Sequence, residues 1–109
     1  LIRPTLYEAH HHIAPVAHLD RDEKTYDVVG PICESGDIFA ESRSMPEVKD
    51  GDLVAIHSAG AYGFAMASNY NTRPLPPEIL IDGDKVALIR QRQSFSDIMK
   101  GEKIPDWLK

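Results

Sequence analysis

Ile79-Leu80-Ile81-Asp82-Gly83-Asp84-Lys85-Val86-Ala87-Leu88-Ile89 consists of two short apolar runs joined by Asp-Gly. That dipeptide supplies the positive φ angles of a tight turn, so the stretch reads as a β-hairpin. The same grammar recurs outward along the chain. Turn signals stand at 20–23, Gly30-Pro31, Ser35-Gly36-Asp37, Asp50-Gly51-Asp52 and 74–77. Between them lie runs too short for helices, read as strands at 11–18, 26–29, 37–40, 53–57, 78–81 and 85–91. Two helical stretches are expected. Residues 61–68 are rich in small side chains, and 96–100 can be capped by Ser94 or Ser96 and ended by Gly101. Many short strands in 109 residues predict a mainly β fold, a compact barrel or sandwich with one or two short helices.

Composition narrows the function classes. The net charge of −5 argues against nucleic acid, because phosphate contacts need a basic surface. No apolar run approaches the roughly 20 residues that span a bilayer, so no membrane partner is expected. The single cysteine cannot close an internal disulfide, which fits a reducing, cytoplasmic location. His10-His11-His12 invites a metal reading. In a strand only His10 and His12 would share a face, and no cysteine or acidic cluster of ligand spacing accompanies them. A half-exposed strand without metal is the expectation.

The chemistry concentrates in Cys33-Glu34-Ser35-Gly36-Asp37. A lone cysteine is most often a small buried hydrophobe; Glu34, Ser35 and Asp37 place this one in a polar loop. A thiol, with an ordinary pKa of about 8.5, stays protonated at neutral pH and can give a proton. Glu34 beside it is either a solvated carboxylate or the partner of an ammonium group. Gly36 permits a sharp turn or a close approach. Tyr62, within Gly60-Ala61-Tyr62-Gly63, is either a core aromatic or a ring left open by small neighbours. Arg3 and Tyr7 belong to Arg3-Pro4-Thr5-Leu6-Tyr7 at the start of the chain.

These segments, in this order and followed by Met66-Ala67-Ser68-Asn69-Tyr70-Asn71-Thr72-Arg73-Pro74, resemble the C-terminal region of diaminopimelate decarboxylases. Those are pyridoxal-phosphate enzymes that make lysine. The resemblance covers nearly the whole chain but only about the last quarter of a typical member. It implies that residues 1–109 are a Greek-key-like C-terminal β domain following a (β/α)₈ barrel that lies upstream. Leu1 in place of Met, with a motif already under way, leads to the same expectation. A tail ending Pro105-Asp106-Trp107-Leu108 is similar to the family's ending and implies that Lys109 is close to the native C-terminus; the tail reads either as an amphipathic interaction segment or, as expected here, as docking Trp107 and Leu108 back on the protein. An aromatic is usual at the position of His10, a mild departure.

The resemblance also implies roles. Cys33 is the proton donor, Glu34 pairs with the distal ammonium of meso-diaminopimelate, Arg3 pairs with its distal carboxylate, and Tyr7 touches substrate. Tyr62 contacts cofactor and substrate, and residues 66–74 are scaffold, with Arg73 open to an interface role. The six lysines lie in charged turns or the tail, poor ground for a Schiff-base lysine. That lysine and the phosphate cradle for pyridoxal 5'-phosphate are therefore expected in the barrel. The implied assembly is a head-to-tail homodimer with the site at the interface, Cys33 and Glu34 acting on the opposite subunit. The fragment alone is expected to be inactive, and to associate or be marginally stable because it exposes surface that packed on the barrel. Two alternatives stay open: a sister decarboxylase for ornithine, arginine or carboxynorspermidine, and a non-catalytic β-barrel dimerisation module. Sister enzymes for simple diamines commonly carry Cys-Asp where this chain has Cys33-Glu34.

Overall fold

The computed structural model describes residues 4–109, with the side chains of residues 5 and 6 outside the description. Six strands and two short helices follow a 3₁₀ turn at Pro4–Tyr7. The strands are β1 (Ile13–Pro15), β2 (Glu23–Val29), β3 (Ile38–Pro46), β4 (Val54–Ile56), β5 (Glu78–Asp82) and β6 (Lys85–Arg90). The helices are α1 (Gly60–Gly63) and α2 (Phe95–Ile98). The fold is mainly β, as the turn spacing predicts. The strands pair as three antiparallel ribbons, β1–β4, β2–β3 and β5–β6, and no closed barrel forms among the described residues. The chain divides into two compact units, one ending at Ala67 and the other spanning Ser68–Lys109.

In the first unit the long ribbon β2–β3 carries the core. Ile13, Ala40 and Met45 are buried, with Tyr26, Val28, Phe39, Val48 and Ile56 packed around them. Strand β3 runs six residues past the expected end at Ala40. The reason is a register shift between Tyr26 and Val28 of β2. Opposite it Ser42 turns to φ 49°, and its N–H donates to Asp27 Oδ1 at 2.8 Å. A bulge of this kind inverts the in–out alternation. Met45 and Arg43 face inward on one side of it, Ala40 and Ile38 on the other. The polar run Glu41-Ser42-Arg43-Ser44 therefore reads as a loop in sequence while remaining strand in space. β1 is shorter than expected, because residues 10–12 precede the ladder and Val16 adds only one bond, to the Leu53 carbonyl at 2.8 Å.

The loop after β3 is fixed by charge. Asp52 accepts from the Lys49 N–H at 2.8 Å and pairs with Arg21, and these contacts hold its carboxyl below the ordinary range. Glu47 is held low by Lys24, which is raised in return.

In the second unit the hairpin forms where expected, but its two-residue loop is Gly83-Asp84, and Asp82 stays in the strand without a positive φ. Asp82 pairs with Lys85, and Gly83, first of the two loop residues, takes φ +62°. That is the position at which a type II′ turn requires glycine. Ser94 caps α2 in a capping box: its hydroxyl accepts from the Asp97 N–H while the Asp97 carboxylate accepts from the Ser94 N–H. The Ser94 hydroxyl, which donates to Asp97 Oδ2 at 2.6 Å, and then the Ser94 N–H lower the Asp97 carboxyl, and Gly101 at φ +97° ends the turn. Asn69 donates to the Arg73 carbonyl and to Gln93 Oε1, and Gln93 Oε1 also accepts from the Leu75 N–H. The Asn69 amide thus satisfies loop backbone. The tail differs from expectation. Trp107 is 81% and Leu108 63% exposed, because the 3₁₀ turn Asp106–Leu108 is closed only by local bonds.

Ile79, Leu80, Ile81, Val86, Leu88 and Ile89 are also exposed. A strand pair with both faces apolar is not stable in water without cover. The 109-residue chain by itself is expected to sediment as more than a monomer at micromolar concentration; a monomeric, cooperatively melting sample would contradict this. The lowered carboxyls fix a sign for pH dependence. Their stabilisation is complete only above pH about 5, clear of the ordinary carboxyl values, and is lost as pH falls through their depressed folded values. In the full-length protein, the urea-midpoint difference between wild type and Asp52→Asn should shrink from pH about 6 to about 3. A difference that stays constant would remove Asp52 from the acid limb.

Candidate functional site

Two constellations stand out, both in the first unit. The Cys33 loop connects β2 to β3. The Gly30 N–H donates to the Asp37 carbonyl at 2.8 Å, and the Asp37 N–H donates to the Glu34 carbonyl at 3.0 Å. The Asp37 carboxylate folds inward and is 4% exposed. Its Oδ2 accepts from the Ile32 N–H at 2.8 Å. A Cβ on Gly30 would lie 2.0 Å from that oxygen, so only glycine lets the buried carboxylate occupy its place. Glu34 is held in turn by Gly36, whose N–H donates to Oε1 at 2.9 Å. A Cβ on Gly36 would meet the same oxygen at 2.9 Å. Cys33 is exposed at the outside of this loop. The polar-loop reading of the thiol therefore holds, and the buried-hydrophobe reading does not.

The second constellation is a cleft of about 580 Å³ between the Pro4–Tyr7 turn and α1. Pro4, Tyr7, Ala9, His11, Ala59, Tyr62, Ala65 and Met66 form its wall. Tyr7 and Tyr62 are far apart in sequence and expose most of their rings, 68% and 62%. Tyr62 is not a core aromatic. Its helix is a single turn, shorter than the expected 61–68. Gly60 and Gly63 are poor helix formers, and Ala59 at the cap supplies no side-chain acceptor. Beyond it the chain continues in turns closed by Met66 N–H to Tyr62 and Ala67 N–H to Phe64. Small residues at 59, 61 and 65 leave the tyrosine ring uncovered.

The structure thus brings Tyr7 and Tyr62 together and keeps Cys33 and Glu34 out of that wall. Arg3 lies outside the described residues. Two participants carry no signal in a sequence scan for reactive side chains. Asp37 pins the Cys33 loop, and His11 stands in the cleft wall. Asp37 was legible only as a polar neighbour, and His11 only as part of a histidine run. Residues 10–12 form no strand face. His10 lies against the Arg43 guanidinium at 3.3 Å, and the His12 ring packs 5.0 Å from the His57 ring. No group of three or more His, Cys, Asp or Glu among the described residues is arranged to hold a metal ion. No helix among them is long and apolar enough to cross a membrane.

Residues 1–60 match the family model described as "Pyridoxal-dependent decarboxylase, C-terminal sheet domain". The chain belongs to this family. Its relatives include the diaminopimelate decarboxylase of Zymomonas mobilis, 54% identical over 99% of this chain and 25% of the relative. That of Archaeoglobus fulgidus is 47% identical over 99% of this chain and 26% of its own. Among solved structures, diaminopimelate decarboxylase from M. jannaschii superposes with TM-score 0.89 at 37% identity, covering all of this chain and 25% of its own. A second structure of that protein is a co-complex with L-lysine. The chain spans about a quarter of the length of these relatives.

Membership implies pyridoxal phosphate, and the cleft fits one side of it. Its volume is that of a small-ligand pocket, and it offers an aromatic, largely apolar wall with two phenol hydroxyls. No lysine lines it.

The loop geometry sets a test. Gly30→Ala in the full-length protein drives a methyl into the Asp37 carboxylate and should cost about 1–3 kcal/mol, the range for disrupting a buried polar contact. Urea denaturation reads this directly; an unchanged midpoint would mean that Asp37 does not pin the loop.

Proposed function

We propose that this chain is the C-terminal β domain of a diaminopimelate decarboxylase, converting meso-2,6-diaminopimelate to L-lysine and carbon dioxide. In this reading a (β/α)₈ barrel upstream supplies the Schiff-base lysine and the phosphate cradle, and the enzyme works in the cytoplasm as a homodimer. The observation that carries it is the separation of the two constellations. Tyr7 and Tyr62 share one cleft, while the thiol and carboxylate stand on another loop. That arrangement suits a site completed by two subunits, with Tyr62 walling the cofactor of its own chain and Cys33 and Glu34 reaching the partner's. The names of the relatives point to the substrate.

Bound pyridoxal phosphate supplies the electron sink that stores the pair left when carbon dioxide departs. The residues of this chain bind and protonate. Arg3 holds the distal carboxylate of the substrate, and Tyr7 contacts the substrate. The Glu34 carboxylate, aligned by the Gly36 N–H, pairs with the distal ammonium. The two contacts together select a zwitterionic far end over a simple diamine, whose far end is only cationic. The Cys33 thiol gives its proton to the carbon that lost the carboxylate, on the face the loop presents. Carbon dioxide leaves as a neutral molecule, so the electron pair it leaves behind takes the proton from Sγ, and solvent then reprotonates the thiolate.

The test uses the full-length enzyme loaded with pyridoxal phosphate. Cys33→Ala should lower kcat by about 10²-fold or more with substrate binding retained. Glu34→Gln should act mainly on KM, by about tenfold, the scale of one charge-assisted hydrogen bond. The isolated 109-residue chain should release no carbon dioxide. Unchanged kinetics in both variants would remove these roles, and better turnover of ornithine would replace the substrate.

A further inference from the structure

Strands β1 and β4 end their pairing at Ile13 and Ile56, just before the segments that carry the two cleft tyrosines. Beyond that last pair the backbone adds one bond, from the His57 N–H to the His12 carbonyl at 2.8 Å. The next rung is made by a side chain. His11 Nδ1 lies 3.0 Å from the His57 carbonyl oxygen. A carbonyl only accepts, so Nδ1 carries the proton and Nε2 is left as the ring's acceptor. Immediately afterwards the chain turns away at Ser58, φ 55°, into the turn that bears Tyr62. On the other side the His11 carbonyl accepts from Arg43 Nη1 at 3.0 Å, and the Ala9 N–H closes the preceding turn onto the Pro4 carbonyl at 3.0 Å. Arg43, with His10 against its guanidinium, and the paired His12 and His57 rings stand around this clamp, and Tyr7 and Tyr62 line the cleft with His11. His11 itself stands in the cleft wall between Tyr7 and Tyr62.

We propose that His11 is a positioning residue for the cleft: its Nδ1–H bond to the His57 carbonyl continues the β1–β4 ladder and sets the separation of Tyr7 from Tyr62. The inference rests on the reading of that cleft as the cofactor and substrate wall. Each tyrosine-bearing turn adjoins this end of the ladder, so the last rung decides where each begins.

Asparagine and glutamine separate the two ring nitrogens, since the Asn amide nitrogen reaches the place of Nδ1 and the Gln amide nitrogen that of Nε2. In the full-length holoenzyme, His11→Asn should keep kcat/KM within about threefold of wild type. His11→Gln and His11→Ala should lower it about tenfold, the loss of one hydrogen bond. Selective nitrogen-15 labelling gives a readout besides turnover. The His11 ring should show the Nδ1–H tautomer, and the Tyr62 amide resonance should move in His11→Gln and return in His11→Asn. An Nε2–H tautomer, or a Tyr62 resonance indifferent to the choice of amide, overturns the proposal. So does rescue by glutamine alone, which would mean that Nε2 touches the ligand directly. If the wild-type enzyme makes no lysine, the decarboxylase reading fails, while the tautomer and the Tyr62 resonance still decide the role of His11. Should His11→Ala not fold, the Asn–Gln comparison and the wild-type tautomer suffice.

Discussion

The short pairing of β1 with β4 is the constraint on which the site depends. It joins Ile13 to Ile56 across a long stretch of chain, and Ile13 is the most buried residue of the core. Two three-residue strands cannot hold each other by hydrogen bonds alone. The pair persists because Ile13 and Ile56 are packed against the β2–β3 ribbon. Burial of Ile13 and Ile56 thus fixes the end of the ladder from which the chain leads to Tyr7 and Tyr62 in the same cleft.

The β2–β3 ribbon does two things at once. Its strand ends carry the core, and its connection carries the thiol. The bulge near Ser42 lets a strand of nine residues place both Met45 and Ala40 inward despite their odd spacing. At the far end the buried Asp37 carboxylate closes the Cys33 loop through the Ile32 N–H, in a space that exists only because residue 30 lacks a Cβ. A reactive side chain on a loop is useful only if the loop has one shape, and here the shape comes from an internal acid and not from packing. The apolar hairpin of the second unit leaves Ile79, Leu80 and Ile81 exposed, which accords with a surface meant to be covered.

Much of this was legible before any coordinates. Asp82-Gly83 announced the β5–β6 hairpin, Ser94 the cap of α2, and the polar company of Cys33 its place on a loop, because each is a local rule acting over two to four residues. The length of β3 was not legible, because a bulge inverts alternation and makes a strand look like a loop. Nor was the brevity of α1, where small residues suggested a helix that two glycines do not sustain. The docking expected of Trp107 was not met, because a tail's docking depends on surfaces that its own residues do not encode.

The site divides along the same line. Sequence by itself determined the chemistry: which side chains can give a proton, pair with an ammonium or wall an aromatic cofactor, since these are properties of residue types and of the short motifs that hold them. Only the tertiary structure decided the company they keep. It put Tyr7 and Tyr62 on one cleft, set Cys33 and Glu34 apart from it, and drew His11 out of a histidine run into the wall. The reason is that hydrogen bonds between His11, His12 and His57 join segments distant in sequence, and that pairing follows from burial of Ile13 and not from any local pattern.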